Sequence, residues 1–217
     1  MADTIAAIAT GAQVAAIGII RISGPEALPI VDRLFRPASG KLMSEYEDRK
    51  LVYGRLTDLS GDLLDLCLCT VSHAPHSYTG EDTAELQCHG SPTVLRAALE
   101  ELFHAGARQA LPGEFTKRAF LNGRMELSSA EAVADIIDAE SIECAKNAAA
   151  QLSGAVAVKA DNIYSTLTDI SSHYHAVLDY PDEDIEDFRL ENYKQQLSSA
   201  ANSLRALLSL IHISEPT

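Results

Sequence analysis

The chain has 217 residues, of which 47% are hydrophobic and 22% are charged, a balance typical of globular proteins that argues against disorder. Its formal net charge is −14, with −4 in residues 1–118 and −10 in residues 119–217. This charge balance does not indicate a basic surface of the kind that binds a polyanion directly. The four cysteines do not have the spacing of a disulfide framework, which favours reduced thiols. No apolar run reaches membrane-spanning length. We therefore expect a cytoplasmic protein with no membrane contact.

The first half of the chain is predicted to contain short strands and two helices. β-Branched, alternating segments predict strands at 4–9, 16–23, 51–58, 64–72 and 83–89. The third and fourth strands are joined by Ser60-Gly61-Asp62, which is a hairpin signal. Pro25 opens a predicted helix that ends at Leu34, and Ser91 precedes a second helix that runs to about residue 104.

The second half is predicted to be helical from about residue 116 onwards. Apolar residues spaced by three and four run from Val156 to Val177, and the same spacing resumes from Tyr193 to Ile211. Two such helices bury only one face each, so they need further helices as partners. We therefore predict an α+β domain over 1–118, followed by an all-α incomplete helical bundle over 119–208. Residues 209–217 are expected to be a truncated or non-native tail.

Arg21 is the most unusual residue of the N-terminal half, because it shares a strand face with Ile17 and Ile19. The predicted strand 83–89 has one polar face, and Glu85 lies on it. Arg21 and Glu85 are therefore predicted to meet in one polar pocket. Two interpretations remain open: an ion pair that only stabilises the fold, or a ligand site whose cation and carboxylate bind complementary groups.

The segment PGEFTKRAFLNGR, residues 112–124, predicts a short basic helix between a Pro-Gly break and an Asn-Gly terminator. Glu114 lies in its first turn, where a carboxylate complements the helix dipole. Lys117 and Arg118 are expected to be structural or surface charges. Arg124, just beyond the glycine, is the more favoured ligand contact.

Other candidate sites are weaker. Cys67, Cys69, Cys88 and His89 lack the spacing of paired zinc knuckles, so small buried hydrophobic side chains are the favoured interpretation and no metal site is predicted. The acidic cluster at 182–187 could bind a divalent cation, but a solvated turn is favoured. The sequence has neither a phosphate-binding glycine loop nor a nucleophile elbow, so we assign no catalytic residue.

Five stretches of the chain resemble one protein family. They are DTIAAIAT, IGIIRISGP, SYTGEDTAELQCHG, PGEFTKRAFLNGRMELSSAEAVADIIDAES and LDYPDED, in order between about Asp3 and about Leu208. The family is that of the bacterial tRNA-modification GTPases, MnmE or TrmE. The resemblance implies a tetrahydrofolate-binding domain with an aminomethyltransferase-like fold, followed by the first part of a helical domain.

The resemblance also implies a function. Family members modify the wobble uridine of certain tRNAs as homodimers joined through the folate domain, together with a flavin-dependent MnmG/GidA-like partner protein. The matched contacts to 5-formyltetrahydrofolate, or a related tetrahydrofolate, are Arg21, Glu85 and Arg124, the last often a lysine in relatives. GTP, magnesium and potassium belong to a GTPase domain that this sequence lacks. We therefore expect a fragment without GTP hydrolysis of its own.

The sequence departs from the family pattern in places. Ser91 stands where a second glycine is usual in the family, and TGAQVAA contains fewer glycines than the form common in relatives. The final residues, SLIHISEPT, do not resemble the continuation found in the family. Two alternatives stay open. One is a dimerisation or scaffold module without its own ligand; the other is a free-standing folate enzyme, for which no catalytic residues are identified.

Overall fold

The computed structural model describes residues 3–180 and 190–212. Two compact units divide the chain, Met1–Met125 and Glu126–Thr217. The first combines a mixed sheet with helices and the second contains helices, which confirms the predicted fold class. The predicted acidic cluster at 182–187 lies outside the described residues, as do the last five residues of the predicted tail.

One seven-stranded sheet organises the N-terminal unit. Its strands are β1 Ile5–Ile8, β2 Ile17–Ser23, β3 Phe35–Pro37, β4 Val52–Thr57, β5 Leu63–Ser72, β6 Thr83–His89 and β7 Arg108–Gln109. Its helices are α1 Ala27–Leu34, α2 Pro92–His104 and α3 Glu114–Leu121, with a 3₁₀ turn at Met43–Glu45. The strand order is β3-β4-β5-β6-β2-β1-β7. All five predicted strands form, whereas β3 and β7 were not predicted because two or three residues carry no periodic signal.

Antiparallel pairing brings the central strands together. β2 pairs with β6 along its whole length, and β5 pairs with β6 on the other side. The β4–β5 hairpin turns at Gly61, which has a φ of 97°, and the Asp58 side chain accepts a hydrogen bond from the Asp62 backbone at 2.8 Å. This confirms the predicted Ser60-Gly61-Asp62 turn.

The core lies on one face of the sheet, under helices α1 and α2. Along β2 and β6 the side chains alternate, so that Ile20, Ile22, Ala84 and Leu86 are fully buried while their neighbours point to the other face. Both helices contact β6, and α2 also contacts β1 and β2. Among the described residues, α1 and α2 do not cover the opposite face, which carries the polar residues of β5 and β6.

The second unit consists of helices α4 Leu127–Ile137, α5 Ile142–Leu152, α6 Ala155–Asp179 and α7 Leu190–His212. α4 packs on α5, and α6 packs on α7. The apolar residues that the three-and-four spacing predicted to pack together are only partly buried. Ile163 and Ala200 are buried, whereas Leu167 and Leu204 remain exposed. None of the helices among the described residues is both long enough and apolar enough to span a membrane.

The helical part is more interrupted than the sequence predicted. A break separates α4 from α5, and Ser141 caps α5 by accepting a hydrogen bond from the Cys144 backbone at 3.1 Å. The N-terminal unit extends to Met125, past the expected boundary at 118, because α3 is tied to it by hydrogen bonds from Arg118. Helix α7 continues through His212, past the expected start of the tail at 209.

Gly54 allows the edge of the sheet to pack closely. A Cβ at this position would lie 2.5 Å from the carbonyl oxygen of Arg36 and 2.5 Å from the ring of Phe35, which is fully buried. Strand β3 can therefore pair with β4 only because residue 54 has no side chain.

We predict that Gly54→Ala lowers the free energy of unfolding by about 2 kcal/mol, since backbone and core must move to admit the methyl group. Urea denaturation followed by circular dichroism measures the change. Gly11→Ala is the matched control, because nothing lies within 4 Å of its added Cβ. Equal stability of the two variants would contradict the account of this contact.

Candidate functional site

A cavity of about 370 Å³ opens on the uncovered face of the sheet. Its floor is formed by side chains of β2, β5 and β6, among them Arg21, Thr70 and Glu85. Arg49 and Tyr78, from two loops, contribute to its walls. A concave site with a few convergent polar groups is the usual form of a ligand pocket.

A second cavity, of about 450 Å³, lies between α6 and α7. Lys159 is the one charged residue in its described lining, which otherwise consists of small polar and apolar side chains. Because this cavity lacks a pair of complementary charged groups, the sheet cavity is the stronger candidate for a functional site.

Arg21 and Glu85 form the centre of the sheet cavity. They are direct cross-strand partners; Nε of Arg21 donates to Oε1 of Glu85 at 2.8 Å, and Nη2 lies 2.7 Å from the same oxygen. The predicted meeting of these residues is confirmed. Their side chains are 32% and 28% exposed. Among the described residues, none donates a hydrogen bond to the second oxygen, Oε2, so it can accept from a ligand.

Two aromatic rings hold the guanidinium of Arg21 in place. Its Cζ lies 5.3 Å from the ring centre of Tyr78 and 5.7 Å from that of Phe115. The Tyr78 hydroxyl lies 3.1 Å from Oγ1 of Thr116, so the loop and helix α3 support each other here. Tyr78 and Phe115 were not predicted as site residues, although both occur in motifs that carry the family resemblance.

The loop that carries Tyr78 is fixed by a buried hydrogen-bond network. Ser23 Oγ lies 2.7 Å from Oγ1 of Thr79 and donates to Glu81 Oε2 at 2.7 Å. Ser23 and Thr79 are both fully buried. Since buried hydroxyls retain their partners, this part of the cavity wall is preorganised.

Two arginines and three carboxylates join this loop to helix α3. Arg118 donates to Glu81 at 3.0 Å, to Asp3 at 2.7 Å and to Glu114 at 3.2 Å, which gives it the structural role expected for it. Arg108 binds Asp3 and Glu114 as well. Hydrogen bonds from Arg108 lower the pKa of Glu114 to about 2 and the pKa of Asp3 to about 2.

Arg124 is not among the described residues that line the cavity, but it contacts the loop that carries the lining residue Tyr78. Its position follows from the predicted helix stop, because Gly123 has a φ of 67° and the Arg124 backbone donates to the Ala119 carbonyl at 2.8 Å. Its Nε donates to the Ser77 carbonyl at 3.1 Å. The structure thus brings Arg21 and Glu85 together and holds Arg124 against the loop that contains Tyr78.

The cysteines behave as small apolar side chains. Cys67, Cys69 and Cys88 are buried, and ligand atoms of Asp65, Cys67 and Cys88 lie within 4.8 Å of one another. A hydrogen bond with Cys88, together with burial, raises the pKa of Cys67 far above its usual range, and burial raises that of Cys69. Both oxygens of Asp65 accept bonds from His89. Because the raised pKa values of Cys67 and Cys69 disfavour their thiolates, these two side chains pack as neutral groups.

Family models match both units of the chain. The model described as "GTP-binding protein TrmE N-terminus" matches residues 4–124, and the model described as "MnmE helical domain" matches residues 127–215. Together they cover nearly all of the sequence and meet close to the boundary between the two compact units.

Curated relatives are similar over most of the chain. The protein named "tRNA modification GTPase MnmE" from Symbiobacterium thermophilum is 46% identical over 184 residues, which is 85% of this chain and 40% of that protein. Its namesake from Clostridioides difficile is 40% identical over 205 residues, covering 94% of this chain and 44% of that protein. The protein of the same name from Bacteroides thetaiotaomicron is 46% identical over 185 residues, which is 85% of this chain and 39% of that protein.

The fold and these matches define the N-terminal and helical domains of a tRNA-modification GTPase. The chain belongs to the MnmE family, also called TrmE, as the sequence motifs had indicated. It spans about two fifths of the length of the curated relatives just described.

The ion-pair network predicts a defined dependence of stability on pH. Because Arg108 lowers the pKa of Glu114 from 4.5 to about 2, the ionised carboxylate stabilises the fold at higher pH, and this contribution is lost as the pH falls from 4.5 to 2. Glu114→Gln should therefore be less stable than the parent chain at neutral pH, with the difference shrinking across that window. Urea denaturation at a series of pH values measures it. Lys117→Gln, an exposed neighbour on α3, should keep the parent profile.

Proposed function

We propose that the sheet cavity binds a reduced folate, 5-formyltetrahydrofolate or a related tetrahydrofolate. The observation that carries the proposal is the Arg21–Glu85 pair on the cavity floor, in which one carboxylate oxygen of Glu85 has no donor among the described residues. A pterin ring presents N–H and amino donors, and a free carboxylate oxygen accepts a hydrogen bond from such a donor. Glu85 therefore holds the pterin in this proposal.

The two arginines have separate roles in the proposed complex. Arg21, which is already paired with Glu85, contacts polar groups of the folate, including the formyl oxygen. Tyr78 presents an aromatic face at the same wall, where a flat heterocycle gains stacking energy. Arg124, next to the Tyr78 loop, contacts an anionic part of the ligand.

The wider role follows from the family and is equally a proposal. The relatives are named as tRNA modification GTPases, and this chain contains no phosphate-binding glycine loop. We propose that the chain supplies the one-carbon donor site for modification of the tRNA wobble uridine. GTP hydrolysis, with magnesium and potassium, is assigned to a domain outside this sequence.

Partners follow from the same proposal. The net charge of −14 does not favour direct contact with tRNA, so a flavin-dependent MnmG/GidA-like protein is proposed to contribute much of the tRNA contact. The cytoplasm is the proposed location, which the four free cysteines support.

We also propose that the N-terminal unit forms a homodimer through the open sheet face. Tyr53 is 54% exposed and Leu66 is 42% exposed, and both lie on the face opposite the helices. An apolar patch on a sheet is a common site of protein association. Burying this face against a second copy would give the sheet the second layer that it lacks.

Calorimetric titration with 5-formyltetrahydrofolate tests the ligand assignment. We expect saturable binding, and we expect Glu85→Gln and Arg124→Gln each to weaken it by about 2 kcal/mol, roughly 30-fold, if these contacts are desolvated. Lys117→Gln is the control, since its exposed side chain faces no described partner. A folded parent chain that produces no heat would refute the assignment.

Arg21→Ala separates the ligand site from a purely structural ion pair. In a scaffold without a ligand, the variant would lower the melting temperature and change no ligand response. In the proposed site it also removes the stabilisation that 5-formyltetrahydrofolate gives to the parent chain, because a ligand that binds only the folded state raises the melting temperature. Thermal melts with and without the folate distinguish the two.

The dimer proposal predicts that Leu66→Asp shifts the protein to monomer, because a buried charge without a partner opposes association. Light scattering coupled to size exclusion measures the mass. Leu59→Asp is the matched control, since Leu59 is similarly exposed but lies at the hairpin turn. A parent chain that is monomeric at all concentrations tested would rule out the proposal.

A further inference from the structure

Arg49 occupies an unusual backbone position at the wall of the sheet cavity. Its φ is 63°, and among the described residues it is the one non-glycine residue with a positive φ. This left-handed conformation is unfavourable for a side chain with a Cβ and persists where the surrounding structure holds it. Here the Arg49 backbone donates to the carbonyl of Val71 at 2.8 Å, at the end of β5.

The Arg49 side chain is anchored, but it forms no ion pair with a carboxylate among the described residues. Its Nη2 donates to the carbonyl oxygen of His76 at 2.9 Å, a contact with a neutral group. The neighbouring carboxylate, that of Asp48, accepts a hydrogen bond from the His73 backbone at 2.8 Å and lies 2.6 Å from Nδ1 of the His73 ring. No carboxylate in the described part of the chain lies within 4 Å of the Arg49 guanidinium.

The cavity therefore differs in charge from the rest of the molecule. Its charged lining residues are Arg21, Arg49 and Glu85, so its wall carries one net positive charge in a chain whose net charge is −14. Arg21 is compensated by Glu85 at 2.7 Å, which leaves the excess charge on Arg49. A guanidinium with free N–H groups binds a carboxylate in a fixed two-pronged geometry.

We propose that Arg49 binds the glutamate carboxylates of the folate and so selects ligands with an anionic tail. This inference rests on the proposed folate function, and it adds a residue outside the set matched by family resemblance. Glu85 then binds the donor-rich end of the ligand while Arg49, which is exposed at the cavity wall, binds the acidic end.

The test compares 5-formyltetrahydrofolate with its diamide, in which both glutamate carboxylates are converted to neutral amides. Calorimetry on the parent chain should give at least tenfold weaker binding of the diamide, as expected for loss of charge-assisted contacts. In Arg49→Gln the ratio should fall well below that of the parent chain, since only the contact proposed for Arg124 remains. Arg49→Lys keeps the charge and should retain a preference for the acid. Arg55→Gln, an exposed arginine of β4 that does not line the cavity, should keep the full tenfold ratio.

The possible results separate the two proposals. A parent chain that binds neither ligand refutes the folate function and the inference with it. A parent chain that binds folate but shows the same ratio in Arg49→Gln refutes the role of Arg49 alone. Loss of the tenfold ratio in Arg124→Gln, with the ratio kept in Arg49→Gln, would assign the tail to Arg124 instead. Thermal melts of each variant confirm that the compared chains are folded.

Discussion

The cross-strand pair of Arg21 and Glu85 is the constraint on which the rest of the site depends. Charged side chains on two neighbouring central strands cannot be covered by an apolar layer without a large desolvation cost. Helices α1 and α2 therefore pack on the opposite face, where β2 and β6 present only apolar side chains. The open cavity is thus a direct result of where two charges fall in an alternating pattern.

Helix α3 and the loop before β6 complete the site, and a separate set of charges holds them. Arg118 joins Glu81 of the loop to Asp3 at the start of the chain, and Arg108 extends the same network. These groups do not line the cavity. They fix the positions of Tyr78 and Phe115, which in turn fix the guanidinium of Arg21. The fold therefore separates residues that position from residues that can contact a ligand.

Sequence patterns were most informative where structure repeats locally. Strict alternation predicted the faces of β2 and β6, and with them the meeting of Arg21 and Glu85, because side chains in a strand have a period of two. The contact between Arg118 and Asp3 spans 115 residues and leaves no periodic trace. The same is true of the Arg49 backbone, which combines a positive φ with a hydrogen bond to the Val71 carbonyl. Tertiary contacts of this kind require coordinates.

The distribution of thiols has a practical consequence. Cys67, Cys69 and Cys88 are buried in the sheet core, where reagents cannot reach them, and the raised pKa values of Cys67 and Cys69 also disfavour the reactive thiolate. Cys144 is exposed on α5, in the other unit. The native chain therefore offers one position for a maleimide fluorophore or spin label without any engineered cysteine. A probe there would report on the helical unit while the sheet cavity stays chemically untouched.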